Sequence, residues 1–361
     1  MPYTPQFTIT NKILHNVGAI DAAREVISSA PLVPAWERNF QSEARTKIIH
    51  HGTHLEGNDL KLEEVEEILE PTSTDPASPT IARDRDIQEV INYRSVMDYI
   101  DSLAPTTPSP SAPSLILSSS ILCEIHRLTS THILPAGEAG VFRHVKVVIR
   151  NTVTGEISFR PPAPTEVPFL IDDLFSWLST TGKDVHPLLR AGILHYELAA
   201  IHPFTDGNGR TSRAMALLLL FLEGYQVKKF FALEEYYDNH PEEYYSALQS
   251  VAPTRDLTPW LEYFTQGIAI ELNRVKTLVQ KLSLDLRLKH SIGGSQITLT
   301  DRQIKLVQYL EKHAGLGMFE ARDLLPMVSE DTILRDLRDL VEKKLLVRRG
   351  NTKGAKYYLS N

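Results

Sequence analysis

Ile201-His-Pro-Phe-Thr-Asp-Gly-Asn-Gly-Arg-Thr-Ser-Arg213 is the stretch on which the reading of this chain turns. It reads as a loop running into a helix. Gly207, Asn208 and Gly209 tolerate backbone angles that other residues avoid. Consecutive amide N–H groups there can form an anion nest, and the following helix adds the positive end of its dipole. Arg210 and Arg213 stand three apart, hence on one helix face, and present two guanidinium forks to phosphate. Asp206 is a hard oxygen ligand suited to hydrated Mg2+ on a polyphosphate. His202, at the loop entrance, titrates near neutrality as a general base should. Together these residues describe a nucleotide-phosphate site beside a base that can activate a hydroxyl. The chain has no GxxxxGK[ST] string, so the site is not a P-loop.

Working outward, the apolar run Ala214–Leu222 continues that helix, and Gly224 suits a C-cap. Pro168–Thr180 and Pro187–Ile201 read as helices before it, and Pro241–Val251 and Pro259 to about His290 as helices after it. Ala35–His50, Lys61–Leu69, Ala82–Leu103 and Ser118–Leu128 are further helices near the start. The period changes once. Val145–Ile149 and Glu156–Phe159 are strand-like segments around the turn Asn151–Gly155, which makes a hairpin. Pro71–Pro79 and Pro105–Ser114 are Pro/Ser/Thr-rich loops. Ser291-Ile-Gly-Gly-Ser295 reads as a linker between domains.

Beyond that linker the pattern is helix Asp301–His313, turn Gly315–Gly317, helix Phe319–Leu325, helix Glu330–Lys344 with Ser329 as N-cap, and strands Leu346–Arg348 and Lys356–Leu359. This order predicts a winged helix-turn-helix. Lys343–Asn361 holds six basic residues and no acidic one. Arg335, Arg338, Arg348, Arg349 and Lys353 could reach the phosphates of DNA. Asp336, Asp339 and Glu342 interleave with them, so protein interaction or dimerisation fits the module equally well.

Bulk properties bound the alternatives. The 361 residues suggest two or three domains. Hydrophobic residues at 42% and charged residues at 23% exclude wholly disordered, collagenous and membrane-embedded chains. The single cysteine, Cys123, excludes an internal disulfide and a Cys-built zinc site, and it fits a reducing cytoplasm. MPYTPQFTITNK does not read as a secretory signal, and the nine-residue run Ala214–Leu222 is too short to span a bilayer. A cytoplasmic protein with no membrane partner is therefore expected. A net charge of −7 argues against nucleic-acid binding by the chain as a whole.

His202 to Arg210 resembles the Fic-domain signature, HPFx(D/E)GN(G/K)R, at every position, and the likeness extends from about Pro34 to Phe264. The resemblance implies a mostly α fold, a Fic-type helical bundle with a small β-hairpin flap. The domains would run over 1–104 (a helical region with an inhibitory segment), 115–290 (the catalytic core) and 296–361 (the winged helix). It also implies a protein adenylyltransferase that moves AMP from ATP to a Ser, Thr or Tyr hydroxyl of a target protein. His202 would take the hydroxyl proton and Asp206 would hold Mg2+. Gly207, Asn208 and Gly209 would cradle the α-phosphate. Arg210 and Arg213 would hold the β- and γ-phosphates. Gly209, where phosphate-transferring relatives carry Lys, favours AMP transfer.

Other segments extend the likeness. Pro135–Arg143 resembles the (P)GxFR segment that precedes the flap. The hairpin residues Ile157, Ser158, Phe159 and Arg160 would then clamp an extended target by strand pairing. Tyr244 and Tyr245 resemble adenine-side tyrosines. Thr53-His-Leu-Glu56-Gly-Asn58 resembles the inhibitory segment [S/T]xxxE[G/N], in which the Glu pairs with the second arginine, here Arg213. This chain departs from that pattern: Gly52 stands four before Glu56, and Thr53 comes one residue late. A carboxylate beside Arg213 would repel the nucleotide's charge. Two rivals remain. One is AMP removal, with Glu56 orienting water. The other is a DNA-bound regulator whose core senses nucleotide. DNA at the winged helix and a second copy of the chain are the further partners considered.

Overall fold

A helix that is apolar on nearly every side must be surrounded by protein, and the segment after Asp206 is of that kind. In the computed structural model, the structure is described for residues 3–30, 32, 34–69, 84–104, 116–150, 157–291, 299–313, 315–343, 345–350 and 355–359. Among these described residues fourteen α-helices and two short hairpin sheets follow in order: α1 (Asn11–Ser29), α2 (Pro34–His54), α3 (Leu62–Leu69), α4 (Asp84–Leu103), α5 (Ser119–Ser130), β1 (Ile149–Arg150), β2 (Ile157–Phe159), α6 (Val167–Ser179), α7 (Pro187–Ile201), α8 (Asn208–Leu222), α9 (Leu233–Asn239), α10 (Pro241–Val251), α11 (Thr258–Ser291), α12 (Asp301–Lys312), α13 (Met318–Leu324), α14 (Glu330–Glu342), β3 (Leu346–Arg349) and β4 (Lys356–Leu359). The mostly helical class expected from the sequence is what the chain adopts. Among the described residues no helix is long and apolar enough to cross a membrane.

The chain divides into two compact units, residues 1–28 with 33–275, and residues 29–32 with 276–361. The division falls within α11. In the first unit α8 is central. Every residue from Thr211 to Phe221 is buried, and α7, α5, α4 and α2 all pack on it. Those four helices therefore fix what can approach its first turn. Burying Met215, Leu217, Leu218, Leu219, Leu220 and Phe221 contributes about 1.5–3 kcal/mol each relative to exposure, which holds α8 and its leading loop in place. α1 and α9 are helices that the sequence reading did not anticipate.

The hairpin is shorter than its sequence pattern. Among the described residues, Ile149–Arg150 pairs with Ile157–Phe159, with a bulge between the bridges. Val145 and Val148 stay exposed and outside any strand. An isolated two-stranded ribbon has no face to bury and is marginal in water, so β-branched composition alone did not extend it. The stretches 71–79, 105–114, 151–155 and 292–295, and the wing turn 351–354, lie outside the described residues.

The second unit builds a core of its own from Ile304, Leu306, Val307, Leu316, Leu337, Leu340 and Tyr357, among others. A Thr300–Gln303 capping box opens α12, and the Ser329 side chain caps α14. β3 and β4 pair antiparallel, and a Leu316–Tyr357 bridge adds a third segment to their edge. Helix, helix, helix and hairpin follow one another in the expected order.

Candidate active site

The loop between α7 and α8 is shaped by residues that close it on itself. His202 ends α7 in the left-handed region, at φ 51° and ψ 61°. Pro203 lacks an N–H and cannot continue the helix. Asn208 Oδ1 accepts from the Phe204 N–H and Asn208 Nδ2 donates to the Phe204 carbonyl, both at 2.9 Å. Gly207 takes φ +73° at the N-cap of α8, where a β-carbon would press on Ser130 and Thr129. His126 of α5 accepts the Gly140 N–H at Nδ1, so Nε2 carries the proton and donates to the Asp206 carbonyl at 2.9 Å. Its ring stacks on Phe204 at 3.6 Å, and burial pushes its pKa down to about 4, so it stays neutral.

His202 Nδ1 lies 3.2 Å from the Ala199 carbonyl. A carbonyl only accepts, so Nδ1 carries the hydrogen and Nε2 keeps its lone pair. Burial lowers the imidazole pKa and favours that neutral form. Arg143, from the Pro135–Arg143 segment, is buried and donates to the carbonyls of His202 (2.7 Å), Val145 (3.0 Å) and Pro162 (2.7 Å). It ties the His202 backbone to the chain on both sides of the hairpin. The sequence reading gave Arg143 no role, although it closes the motif segment already singled out.

Each charged group of the loop is held by an opposite charge. Arg213 Nη2 stands 2.9 Å from Glu56 Oε1 and donates to the Gly52 carbonyl at 2.8 Å. Burial works against the Arg213 charge, but the Glu56 carboxylate outweighs it and the pKa is raised. Gly52 must be glycine here because a β-carbon would come within 2.7 Å of the Tyr93 ring. That contact gives the departure from the inhibitory pattern a physical reason. Thr53 still closes the segment. Its carbonyl accepts from the N–H groups of Glu56 (3.0 Å) and Asn58 (3.3 Å), and its hydroxyl returns to α2. Asn58, fully buried, donates to the Asp86 carbonyl and to Glu89 of α4.

Arg210 pairs with Glu89 at 3.0 Å, both nearly inaccessible. Asp206 accepts the Gly207 N–H at Oδ1 (2.6 Å) and Arg85 Nη2 at Oδ2 (2.9 Å). Burial opposes its charge, but the N–H, Arg210 and Arg85 hold the carboxyl below the usual range. Arg85 and Glu89 are site residues the sequence reading missed. The available signal was two acids, Asp86 and Glu89, on the apolar stripe of α4 beside Val90, Tyr93, Met97 and Ile100.

The remaining candidates separate. Ile157, Ser158 and Arg160 of the hairpin are exposed, and Phe159 is half-buried. Tyr244 is buried, with its hydroxyl 2.9 Å from His195 Nε2 and its ring packed on Tyr237 and Trp260. It is a core residue in this structure. Tyr245 is exposed and donates to the Leu55 carbonyl, next to Glu56, at 3.2 Å. Asp238 of α9 binds His51 and His54 at 2.7 and 2.8 Å, which anchors the end of α2 just before that segment.

Residues 116–220 match the model of the Fic/DOC family. Among curated relatives, "Protein adenylyltransferase Fic" of Culex quinquefasciatus is 29% identical over 282 residues, 76% of this chain and 51% of that protein. The protein of the same name in Aedes aegypti is 31% identical over 248 residues, 68% of this chain and 44% of that one. The chain thus spans about half the length of the curated relatives it matches. A Fic family protein from Desulfovibrio desulfuricans G20 shares the fold with a TM-score of 0.61, at 23% identity over 99% of both chains. Fic-1 (aa134–508) from C. elegans aligns with a TM-score of 0.57 at 26% identity, covering 72% of this chain and 70% of that one.

Proposed function

We infer, from the Fic/DOC family domain that this chain carries across residues 116–220, that the protein transfers AMP from ATP to a Ser, Thr or Tyr hydroxyl of a target protein. In the state described, Glu56 holds it inhibited. The observation that carries this reading is the placement of His202. Its free Nε2 lone pair stands at the entrance of a loop whose Gly207–Arg213 turn offers amides and two arginines to phosphates. The hydroxyl oxygen attacks the α-phosphorus, the bond to the bridging oxygen of the β-phosphate breaks, and pyrophosphate leaves. The hydroxyl proton passes to His202 Nε2. Positioning and charge neutralisation do the rest.

Asp206 is the residue that would hold Mg2+. The donor set fits an ion ligated mainly by phosphate and water, because one carboxylate reaches it and no larger acid cluster stands among the described residues. A cation, Arg85, already sits on Oδ2 and must move aside. When bound, the ion neutralises phosphate charge. The exposed hairpin edge would pair with an extended target segment, and Tyr245 offers the adenine side an open ring face.

The C-terminal unit supports a second partner class, duplex DNA. Asp336 of α14 is buried against Arg302, and Asp339 is taken up by Gln303 and Lys343. Arg335 and Arg338 are exposed, as are Arg348, Arg349 and Lys356 on the hairpin. Asp336 is thus turned inward and Asp339 is neutralised by its partners, while Glu342 stays exposed among the arginines.

The test is labelled ATP supplied to the wild type, Glu56→Gly and Glu56→Gly/His202→Ala in the presence of lysate proteins. Transfer of AMP that appears with the first substitution and vanishes with the second is expected. Loss of AMP from a modified acceptor, abolished by Glu56→Gly, would replace this reading with AMP removal.

A further inference from the structure

Arg213 lines a small cavity that contains neither Glu56 nor Gly209 in its wall. Its other polar walls are His195 of α7 and Glu234 and Tyr237 of α9, and the rest is aliphatic or phenyl surface. All four polar residues are almost wholly inaccessible. Each has buried polar atoms with no hydrogen-bond partner: Nε and Nη1 of Arg213, Nδ1 of His195, Oε2 of Glu234 and the hydroxyl of Tyr237. A buried carboxylate that lines one cavity with a buried guanidinium is costly unless the two charges answer one another across it. Glu234 therefore has a partner to serve, and Arg213 already has one in Glu56.

We propose that Glu234 is a positioning residue that shares the Arg213 guanidinium with Glu56. Ionised, it draws the arginine's charge toward the cavity and loosens the Glu56 latch; neutral, it leaves Arg213 to Glu56. The proposal rests on the reading of Arg213 as a phosphate-binding arginine restrained by Glu56. Coupling of this kind is reciprocal, so the Glu56 carboxylate on Arg213 in turn disfavours the charge on Glu234. The groups that face Glu234 are Arg213 of α8, His51 of α2, Tyr93 of α4, Tyr244 of α10, and His195 and Tyr237 at the cavity. Burial pushes the Glu234 carboxyl up to about 7, opposed by Arg213 and His51. Its ionised fraction therefore rises as pH rises through neutrality. His195, fully buried and close to Arg213, is held neutral across that range.

Glu234→Gln tests this in two backgrounds. In the wild type the substitution should tighten the latch. AMP transfer should fall roughly fivefold or more, and the rise of activity between pH 6 and 8 should disappear. In Glu56→Gly there is no latch to tighten, and removing a negative charge beside Arg213 should lower KM for ATP by a similar factor. A merely structural defect would impair both proteins. Loss of activity in both, or no change in either background or in the pH profile, overturns the proposal. Glu234→Ala, just as uncharged but smaller, should shift in the same directions, and thermal melting checks that each variant is folded. ATP binding to Glu56→Gly with and without Glu234→Gln, measured by calorimetry, separates the two readings. If Glu56→Gly transfers no AMP, the adenylyltransferase reading falls. Tighter ATP binding by the Gln variant would still support the role of Glu234, and unchanged or weaker binding would end it.

Discussion

A β-carbon on Gly209 would collide with Oε1 of Glu56, so the Glu56 carboxylate occupies the space that only glycine leaves over the first turn of α8. A helix N-terminus flanked by a nest is built to hold an anion. In the state described, a carboxylate of the protein itself stands over that first turn, paired with Arg213. Its seat is fixed from both ends of the segment. Thr53 folds the turn back on α2, Asn58 ties it to α4, and Asp238 pins His51 and His54 to α9. The latch therefore draws on helices α2, α4 and α9 around a single arginine.

Removing the latch should raise activity. Hydrogen bonds to charged groups are worth ~1.5–3 kcal/mol, which corresponds to roughly ten- to a hundredfold in an equilibrium. Glu56→Gly should increase AMP transfer by about that factor under identical ATP and target. Arg213→Ala should remove transfer in either background, because the phosphate partner disappears along with the latch. Rates from incorporation of labelled AMP decide it. An Arg213→Ala protein as active as Glu56→Gly would show that the arginine serves only the latch.

Activity should also report the state of His202. Burial lowers its pKa, so the base is already neutral at pH 7. In Glu56→Gly at saturating ATP, transfer should fall only as pH drops below about 6.5, where the imidazole takes up a proton. His202→Ala should cost ~10²–10⁴ in rate while leaving ATP affinity nearly unchanged. An acid limb that survives in His202→Ala would assign the titration to another group.

What could be read in the sequence follows from where the chemistry is written. His202, Asp206, the Gly207–Gly209 amides and both arginines lie within Ile201–Arg213, so local spacing alone brings them together. Arg85 and Glu89 act on Asp206 and Arg210 from more than a hundred residues away, and no local pattern reveals that meeting. Glu56 was identified by resemblance. Its neighbour Gly52, whose carbonyl also accepts from Arg213, is glycine because of the packing of Tyr93, which no local pattern reveals. The Tyr244-Tyr245 pair looked like one ligand face, but adjacent helical residues point about 100° apart, and Tyr244 went into the core. α9 escaped notice because its seven residues, Leu-Glu-Glu-Tyr-Tyr-Asp-Asn, are too few to show a helical period.

His126 makes an acid-stability prediction. Its folded pKa of about 4 lies below the ordinary 6.5. Between those values the unfolded chain binds the proton and the folded chain does not, so stability is complete above 6.5 and is lost as pH falls toward 4. The span corresponds to about 3 kcal/mol. Urea unfolding at pH 7 and pH 5 should show this loss, and His126→Gln should reduce its pH dependence. An identical pH dependence in the variant would mean that His126 is not the group concerned.

The basic face of the C-terminal unit yields the last prediction. Non-specific DNA affinity comes from phosphate neutralisation, and removing one cation from a phosphate lowers the salt slope by about 0.9 on duplex DNA. Arg348 and Arg349 stand on β3, exposed, and the Arg349 guanidinium lies 4.8 Å from the Tyr358 ring centroid, which limits its freedom. At the other end of the unit, Glu330 at the start of α14 is exposed beside Arg322 at 3.8 Å, and Asp331 is exposed next to it. Those acids disfavour deep insertion of the helix N-terminus, so binding should fall on the DNA backbone and carry little sequence preference. In the full chain, Arg348→Ala with Arg349→Ala should weaken binding to two unrelated duplexes by the same factor and flatten the salt slope by about 2. Fluorescence anisotropy across salt concentrations of roughly 50–200 mM reads both quantities. If the wild type binds neither duplex, the exposed arginines serve a protein partner instead. If the variant loses affinity for one duplex alone, they read bases, and the phosphate account of this face is wrong.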